Sequence, residues 1–175
     1  MSYDNDAFES DPEEAAERQA SSHKASGPTL KARAIDFLSR REHSRVELQR
    51  KLMRHTSEAS EVEALLDQLE QEKWLSDERF AQSLLNRRAH KLGSLRIAQE
   101  LRQNGIGSDA VTELLESLHE SEYDRAYEVW ERKFGSAPVD QKEYAKQCRF
   151  ILSRGFSSDI FNKIIRAAKA DNFEL

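Results

Sequence analysis

The chain has 175 residues, 34% of them charged, with three prolines, six glycines and a single cysteine. This composition excludes an intramolecular disulfide framework and any cysteine-built zinc module, and it favours helix almost throughout. The formal charge of -5 belongs to residues 1–29, where seven acids face Arg18 and Lys24; the rest of the chain is balanced.

Residues 1–28 carry almost no large apolar side chains and are expected to form a disordered acidic tail, either solvating or lying in a basic groove. Thr29 then stands where a helix N-cap is needed, ahead of Ala34, Leu38 and Arg40–Arg41. Ser44-Arg45-Val46-Glu47 reads as a capping box leading to Leu48 and Leu52, four apart on one face. A third helix carries Val62, Leu65, Leu66 and Leu69. Next comes Trp74-Leu75-Ser76-Asp77-Glu78-Arg79-Phe80-Ala81. Its paired carboxylates suggest a catalytic or metal site, but helix chemistry explains them more simply. Ser76 is placed as N-cap, Asp77 and Glu78 sit in the first turn where the helix dipole favours anions, and Leu75 with Phe80 makes a hydrophobic staple.

The construction recurs. Thr29, Ser76 and Ser121 are each followed at five residues by Ala34, Ala81 and Ala126, and at nine by Leu38, Leu85 and Trp130. Basic pairs Arg40–Arg41, Arg87–Arg88 and Arg132–Lys133 follow at eleven and twelve. A repeat of roughly 40 to 50 residues marks stacked helical units. The second unit continues through Gly93-Ser94, Ile97 and Leu101 to a third helix with Val111, Leu114, Leu115 and Leu118. The third unit runs past Gly135, with Pro138 in a first helical turn, through Tyr144, Cys148, Ile151 and Leu152 to Phe161, Ile164 and Ile165. Ser108 and Ser158 are expected caps, and Gly105 and Gly155 are expected left-handed C-caps. The reading is all-α: three tandem three-helix repeats, 29–75, 76–120 and 121–168, in an elongated, curved array, with a C-terminal tail at 169–175.

Charge is uneven along these units. Two third helices are acidic, through Glu61, Glu63, Asp67, Glu70 and Glu72, and through Asp109, Glu113 and Glu116. That argues against reading DNA through a recognition helix. The first and second helices can line a basic groove through Arg40, Arg41, Arg45, Arg87, Arg88, Lys91, Arg96, Arg102, Arg132 and Lys133. Such arginines suit an acidic protein surface or a phosphate backbone, although those near helix C-termini also complement the dipole. His43 and His90 echo the repeat at helix ends, and no histidine pair has metal-ligand spacing. Gly105-Ile106-Gly107 lacks the context of a phosphate loop, Cys148 lies on an apolar face, and Trp74 and Trp130 match packing positions. Neither catalysis nor a cofactor or metal is expected. No apolar run approaches the ~18–20 residues that span a bilayer, and no basic, apolar, cleavable leader is visible, so a cytoplasmic protein is expected.

From about Leu30 to Ala168 the chain resembles the RecX family, regulators of the RecA recombinase. The residues that carry the likeness are Ala34 to Arg41, then Ser44 to Leu48 with Leu52, then Leu75 to Ala81. Arg87-Arg88, Gly93, Arg96-Ile97, Glu100-Leu101 and Gly105-Ile106 follow in order. The third unit matches more loosely. The resemblance implies tandem three-helix repeats without a catalytic centre. It implies a protein that lies along the RecA–DNA filament, inhibiting its ATPase, strand exchange and co-protease activity; a monomer is expected. A stand-alone DNA-binding protein of tandem three-helix modules is the alternative.

Overall fold

The computed structural model describes residues 27–171. The acidic segment read as a disordered tail lies outside them except for its last two residues. Among the described residues the only regular elements are nine helices: α1 Leu30–Arg40, α2 Arg45–Leu52, α3 Ala59–Gln71, α4 Asp77–Arg88, α5 Ser94–Gln103, α6 Ser108–His119, α7 Glu122–Lys133, α8 Gln141–Ser153 and α9 Ser158–Asp171. The helix pairs that pack closely all fall within α1–α3, α4–α6 or α7–α9. The last helix runs on to Asp171, so residues 169–171, read as tail, are helical.

Each unit has its own core. Ala34, Leu48, Leu52, Val62, Leu66 and Leu69 fill the first, Phe80, Leu84, Leu85, Ile97, Leu101 and Val111 the second, and Ala126, Trp130, Ile151, Phe161 and Ile164 the third. A fully buried leucine or isoleucine contributes about 1.5–3 kcal/mol, so a core this small leaves one unit marginal on its own. Trp130 is 2% exposed, and its indole N–H donates to the buried Gln147 Oε1 at 2.7 Å. A buried indole needs such a partner. Gln147 in turn donates to the Ser136 carbonyl at 3.2 Å.

The helix ends follow local chemistry with some departures. Thr29, Ser44 and Ser76 accept from the amides of Ala32, Glu47 and Arg79 at 3.2, 3.1 and 3.2 Å. Ser121 does not cap by its side chain. It is itself right-handed helical, because only Glu120 and Ser121 separate α6 from α7, and its hydroxyl turns back to the Leu118 carbonyl. The expected caps Ser108 and Ser158 are first helical residues instead; Gly107 stands before one, and Ser157 caps the other through the Ile160 amide at 3.2 Å. Asp140, not Pro138, starts α8, accepting from the Glu143 amide at 2.7 Å.

The expected staple is divided between two units. Leu75 packs into the first core and Phe80 into the second. Lys73 takes a left-handed φ of 62°, which ends α3 and turns Leu75 inward. Trp74 is thereby 49% exposed rather than packed.

Candidate binding surface

The charged residues sort into those spent on holding the units and those left at the surface. In the first unit Arg41 clamps the Glu47 carboxylate with both guanidinium arms and donates to the Glu42 carbonyl. The capping box is therefore used differently from its reading: Ser44 caps, but the described partners of Glu47 are cations. His43, 2% exposed, lies beside this pair, its Nδ1 donating to the Arg41 carbonyl at 2.9 Å and its Nε2 accepting from Lys51 at 2.7 Å. Burial pushes the His43 pKa below its ordinary value, and the bond to the Arg41 carbonyl and the Glu47 charge only partly offset it. Burial alone would raise Glu47, but Arg41, His43 and Lys51 hold it below the usual carboxylate value.

Arg45 is more deeply engaged. It donates to Glu63, Asp67 and Glu70 of α3 at 2.7, 2.7 and 2.8 Å. Burial opposes its charge, yet these three carboxylates raise its pKa above the ordinary arginine value. The acidic face of the first third helix is thus largely answered from within its own unit.

Hydrogen bonds across the joints tie each unit to its chain neighbour by one repeated device. The first residue of α4, Asp77, accepts from the Arg45 amide at the start of α2 at 2.8 Å. The first residue of α7, Glu122, accepts from the Ser94 amide at the start of α5 at 2.9 Å. Each carboxylate satisfies a free N–H at a helix start in the preceding unit. Arg79 then bridges from the second unit to Glu42 at 2.8 Å, and Arg125 donates from the third unit to the carbonyls of Ala89 and Leu92 at 2.8 and 2.9 Å. Burial lowers the Arg125 pKa, and nearby Glu122 works in the opposite direction.

The glycines sit in the same joints. Gly105 and Gly155, at φ 84° and 87°, end α5 and α8 in the left-handed conformation, as their sequence positions suggest. Each also lies against the start of the preceding unit's second helix. A Cβ on Gly105 would lie 2.5 Å from Val46 Cγ2, and one on Gly155 would lie 2.5 Å from Arg96 Cβ. The second joint is further tied by the Gly93 amide to the Arg154 carbonyl at 2.9 Å and the Leu95 amide to the Gly155 carbonyl at 3.2 Å.

Beside that joint opens a concavity of about 400 Å³. Arg88 and Lys91 line it from the second unit; Arg132, Lys133 and Arg154 line it from the third. Leu92, Val129 and Phe150 supply apolar lining, and no acidic residue lines it. Arg154 stacks over Phe150, 3.6 Å from the ring centroid. Arg88 meets Glu100 at 3.3 Å and Arg132 reaches Glu128 only at 4.0 Å, so the acid neighbours are few and peripheral.

Of the ten basic residues singled out in the sequence, this concavity gathers Arg88, Lys91, Arg132 and Lys133. Arg41 and Arg45 are turned to internal carboxylates. Arg40 pairs with Asp36 at 2.9 Å, Arg87 donates to the Ser83 carbonyl at 3.2 Å, Arg96 to Gln99 at 2.9 Å, and Arg102 is exposed. Arg154 and Phe150 were not singled out. Arg154 lies outside the basic pairs that close the first helices, and only the meeting of the end of α8 with the start of α5 brings it here. Among the described residues no group of three or more His, Cys, Asp or Glu could hold a metal ion, and no helix is long and apolar enough to cross a membrane.

Three tandem helical units, locked end to end and sharing a basic hollow between the second and third, define a helical-repeat protein. Comparison with known proteins specifies which. Models of the first, second and third three-helix domains of RecX match residues 31–69, 76–115 and 120–165 in turn. The regulatory protein RecX of Ralstonia nicotianae is 53% identical over 142 residues, covering 81% of this chain and 89% of that protein. That of Herminiimonas arsenicoxydans is 50% identical over 79% and 92%, and that of Neisseria meningitidis serogroup C is 38% identical over 83% and 95%. The crystal structure of RecX from Lactobacillus salivarius superimposes with a TM-score of 0.66 at 18% identity, covering 81% of this chain and 95% of that one, which shows the shared fold. The chain belongs to the RecX family.

Proposed function

We propose that the chain is a non-catalytic, cytoplasmic, monomeric modulator of the RecA recombinase. It binds the RecA–DNA filament and lowers its ATPase, strand-exchange and co-protease activity. Family membership supports the regulatory role. The single observation that carries the binding mode is the gathering of Arg88, Lys91, Arg132, Lys133 and Arg154, from two successive units, around one hollow. Cations held on a rigid joint meet an acidic loop or a phosphate backbone with little ordering cost. Further contacts along the other units add avidity across neighbouring protomers.

The test is RecA ATPase on single-stranded DNA, titrated with this protein. An exposed ion pair is worth about 0.2–1 kcal/mol, so Lys91→Glu or Lys133→Glu alone should shift half-inhibition by about 1.5- to 5-fold. The double reversal, drawn from two units, should shift it by about 2- to 25-fold, and the effect should shrink with salt. Full inhibition by the double variant would remove the hollow from the binding surface. Tight oligonucleotide binding without RecA, with no effect on its ATPase, would favour the stand-alone DNA-binding reading.

A further inference from the structure

We infer that the hollow between the second and third units is also a docking surface for the chain's own acidic segment, residues 6–14, which competes there with the external polyanion. The inference rests on the reading above only in taking this hollow as the working surface.

Two properties of the hollow select the occupant. Its rim is wholly basic, and of the lining cations Lys91, Lys133 and Arg154 have no carboxylate within ion-pair distance among the described residues. Its lining is also apolar and aromatic, through Leu92, Val129 and Phe150. A ligand that matches both carries clustered carboxylates around a large apolar side chain. Residues 1–26 contain one such run, Asp6-Ala7-Phe8-Glu9-Ser10-Asp11-Pro12-Glu13-Glu14, with five acids, no base and one phenylalanine. Among the described residues several acids are already committed: Glu63, Asp67 and Glu70 to Arg45, Glu47 to Arg41, and Asp77 and Glu122 to backbone amides.

The tether is long. Phe8 precedes Gly27 by nineteen residues, a contour of up to about 65 Å at ~3.3–3.6 Å per residue. Docking is intramolecular, so even weak pairing occupies the hollow at the effective millimolar concentration that a short tether confers.

The experiment compares the full chain with a full-length variant carrying Phe8→Ala, Glu9→Gln, Asp11→Asn, Glu13→Gln and Glu14→Gln. Amide chemical shifts of the ¹⁵N-labelled proteins at about 50 mM salt should differ at Leu92, Val129, Phe150 and Arg154, and the same shifts should fade in the native chain as salt is raised. The variant should also bind a single-stranded oligothymidylate at least about threefold more tightly at low salt, the difference vanishing near 0.5 M. Lys91→Glu with Lys133→Glu, in an otherwise native chain, should move the amides of residues 6–14. Lining amides that do not move, or that move only elsewhere on the body, overturn the inference. Shifts that grow with protein concentration place a second copy's segment in the hollow and overturn it as well. Joint shifts as expected, in a protein whose double reversal still inhibits RecA fully, would leave the docking standing and remove the hollow from the filament-binding surface.

Discussion

Replacing the joint glycines separates backbone strain from the steric fit between units. Alanine at Gly135 meets a left-handed φ of 64° but nothing closer than 3.5 Å, so it should cost about 1–2 kcal/mol, the left-handed penalty alone. Alanine at Gly107 meets neither condition, since nothing lies within 4 Å, and should be nearly neutral. Gly93→Ala carries no dihedral penalty, yet its Cβ would lie 2.5 Å from the Phe156 amide nitrogen. Overpacking against backbone costs about 1–3 kcal/mol. Gly155→Ala suffers both, its Cβ falling on Arg96. Pushing α5 and α8 apart also threatens the bonds from Gly93 to Arg154 and from Leu95 to Gly155, each worth about 0.5–1.5 kcal/mol. The sum is roughly 3–8 kcal/mol for Gly155→Ala, and somewhat less for Gly105→Ala, where the obstacle is a valine methyl. Urea unfolding followed by circular dichroism measures the series, with Trp130 fluorescence reporting the third unit. A Gly155→Ala cost no larger than that of Gly135→Ala would show that the joint carries little energy.

Other consequences follow from the same contacts. Asp77→Ala and Glu122→Ala each remove the carboxylate that satisfies a helix-start amide across a joint, and each should lower stability by about 1–2 kcal/mol in the same assay. Trp130→Phe keeps most of the buried ring but leaves the Gln147 amide oxygen without its donor; a loss of about 1–3 kcal/mol is expected by urea titration. His43 is held neutral by burial, so its folded pKa lies below the unfolded value. As pH falls below about 6.5 the unfolded chain takes up a proton that the folded chain refuses, and stability is lost from there downward. The unfolding midpoint should therefore fall between pH 7.5 and 5.5, and His43→Gln should flatten that slope. The Glu47 contribution has the opposite-signed group but the same direction: it is present above about pH 4.5 and lost below, outside the His43 window.

Much of the fold was legible because its signals are local. A cap such as Thr29, Ser44 or Ser76 bonds an amide three residues away, and the apolar positions of α3 or α6 repeat within one helix. The candidate surface was legible only in part. Arg88, Lys91, Arg132 and Lys133 stood out as basic residues near first-helix ends, but Arg41 and Arg45 looked no different and are turned inward. The partners of Arg45 lie 18, 22 and 25 residues away, and no local spacing encodes that choice.

The contrast is sharpest at one repeated position. Thr56 follows Leu52 by four residues, as Gly105 follows Leu101 and Gly155 follows Ile151. Read alone, the three segments end equivalent helices, and the glycines look like ordinary C-caps. What separates them is a neighbour: Val46 stands against Gly105 and Arg96 against Gly155, while among the described residues no earlier unit precedes the one that holds Thr56. The amino-acid order by itself determined that the nine helices of the described residues form, roughly where they lie and which face of each is apolar, because those preferences act within a turn or two of chain. Only the stacking of one unit on the next decided which glycines are indispensable, which arginines are consumed and which remain to form the hollow. Those outcomes depend on atoms brought together from tens of residues apart.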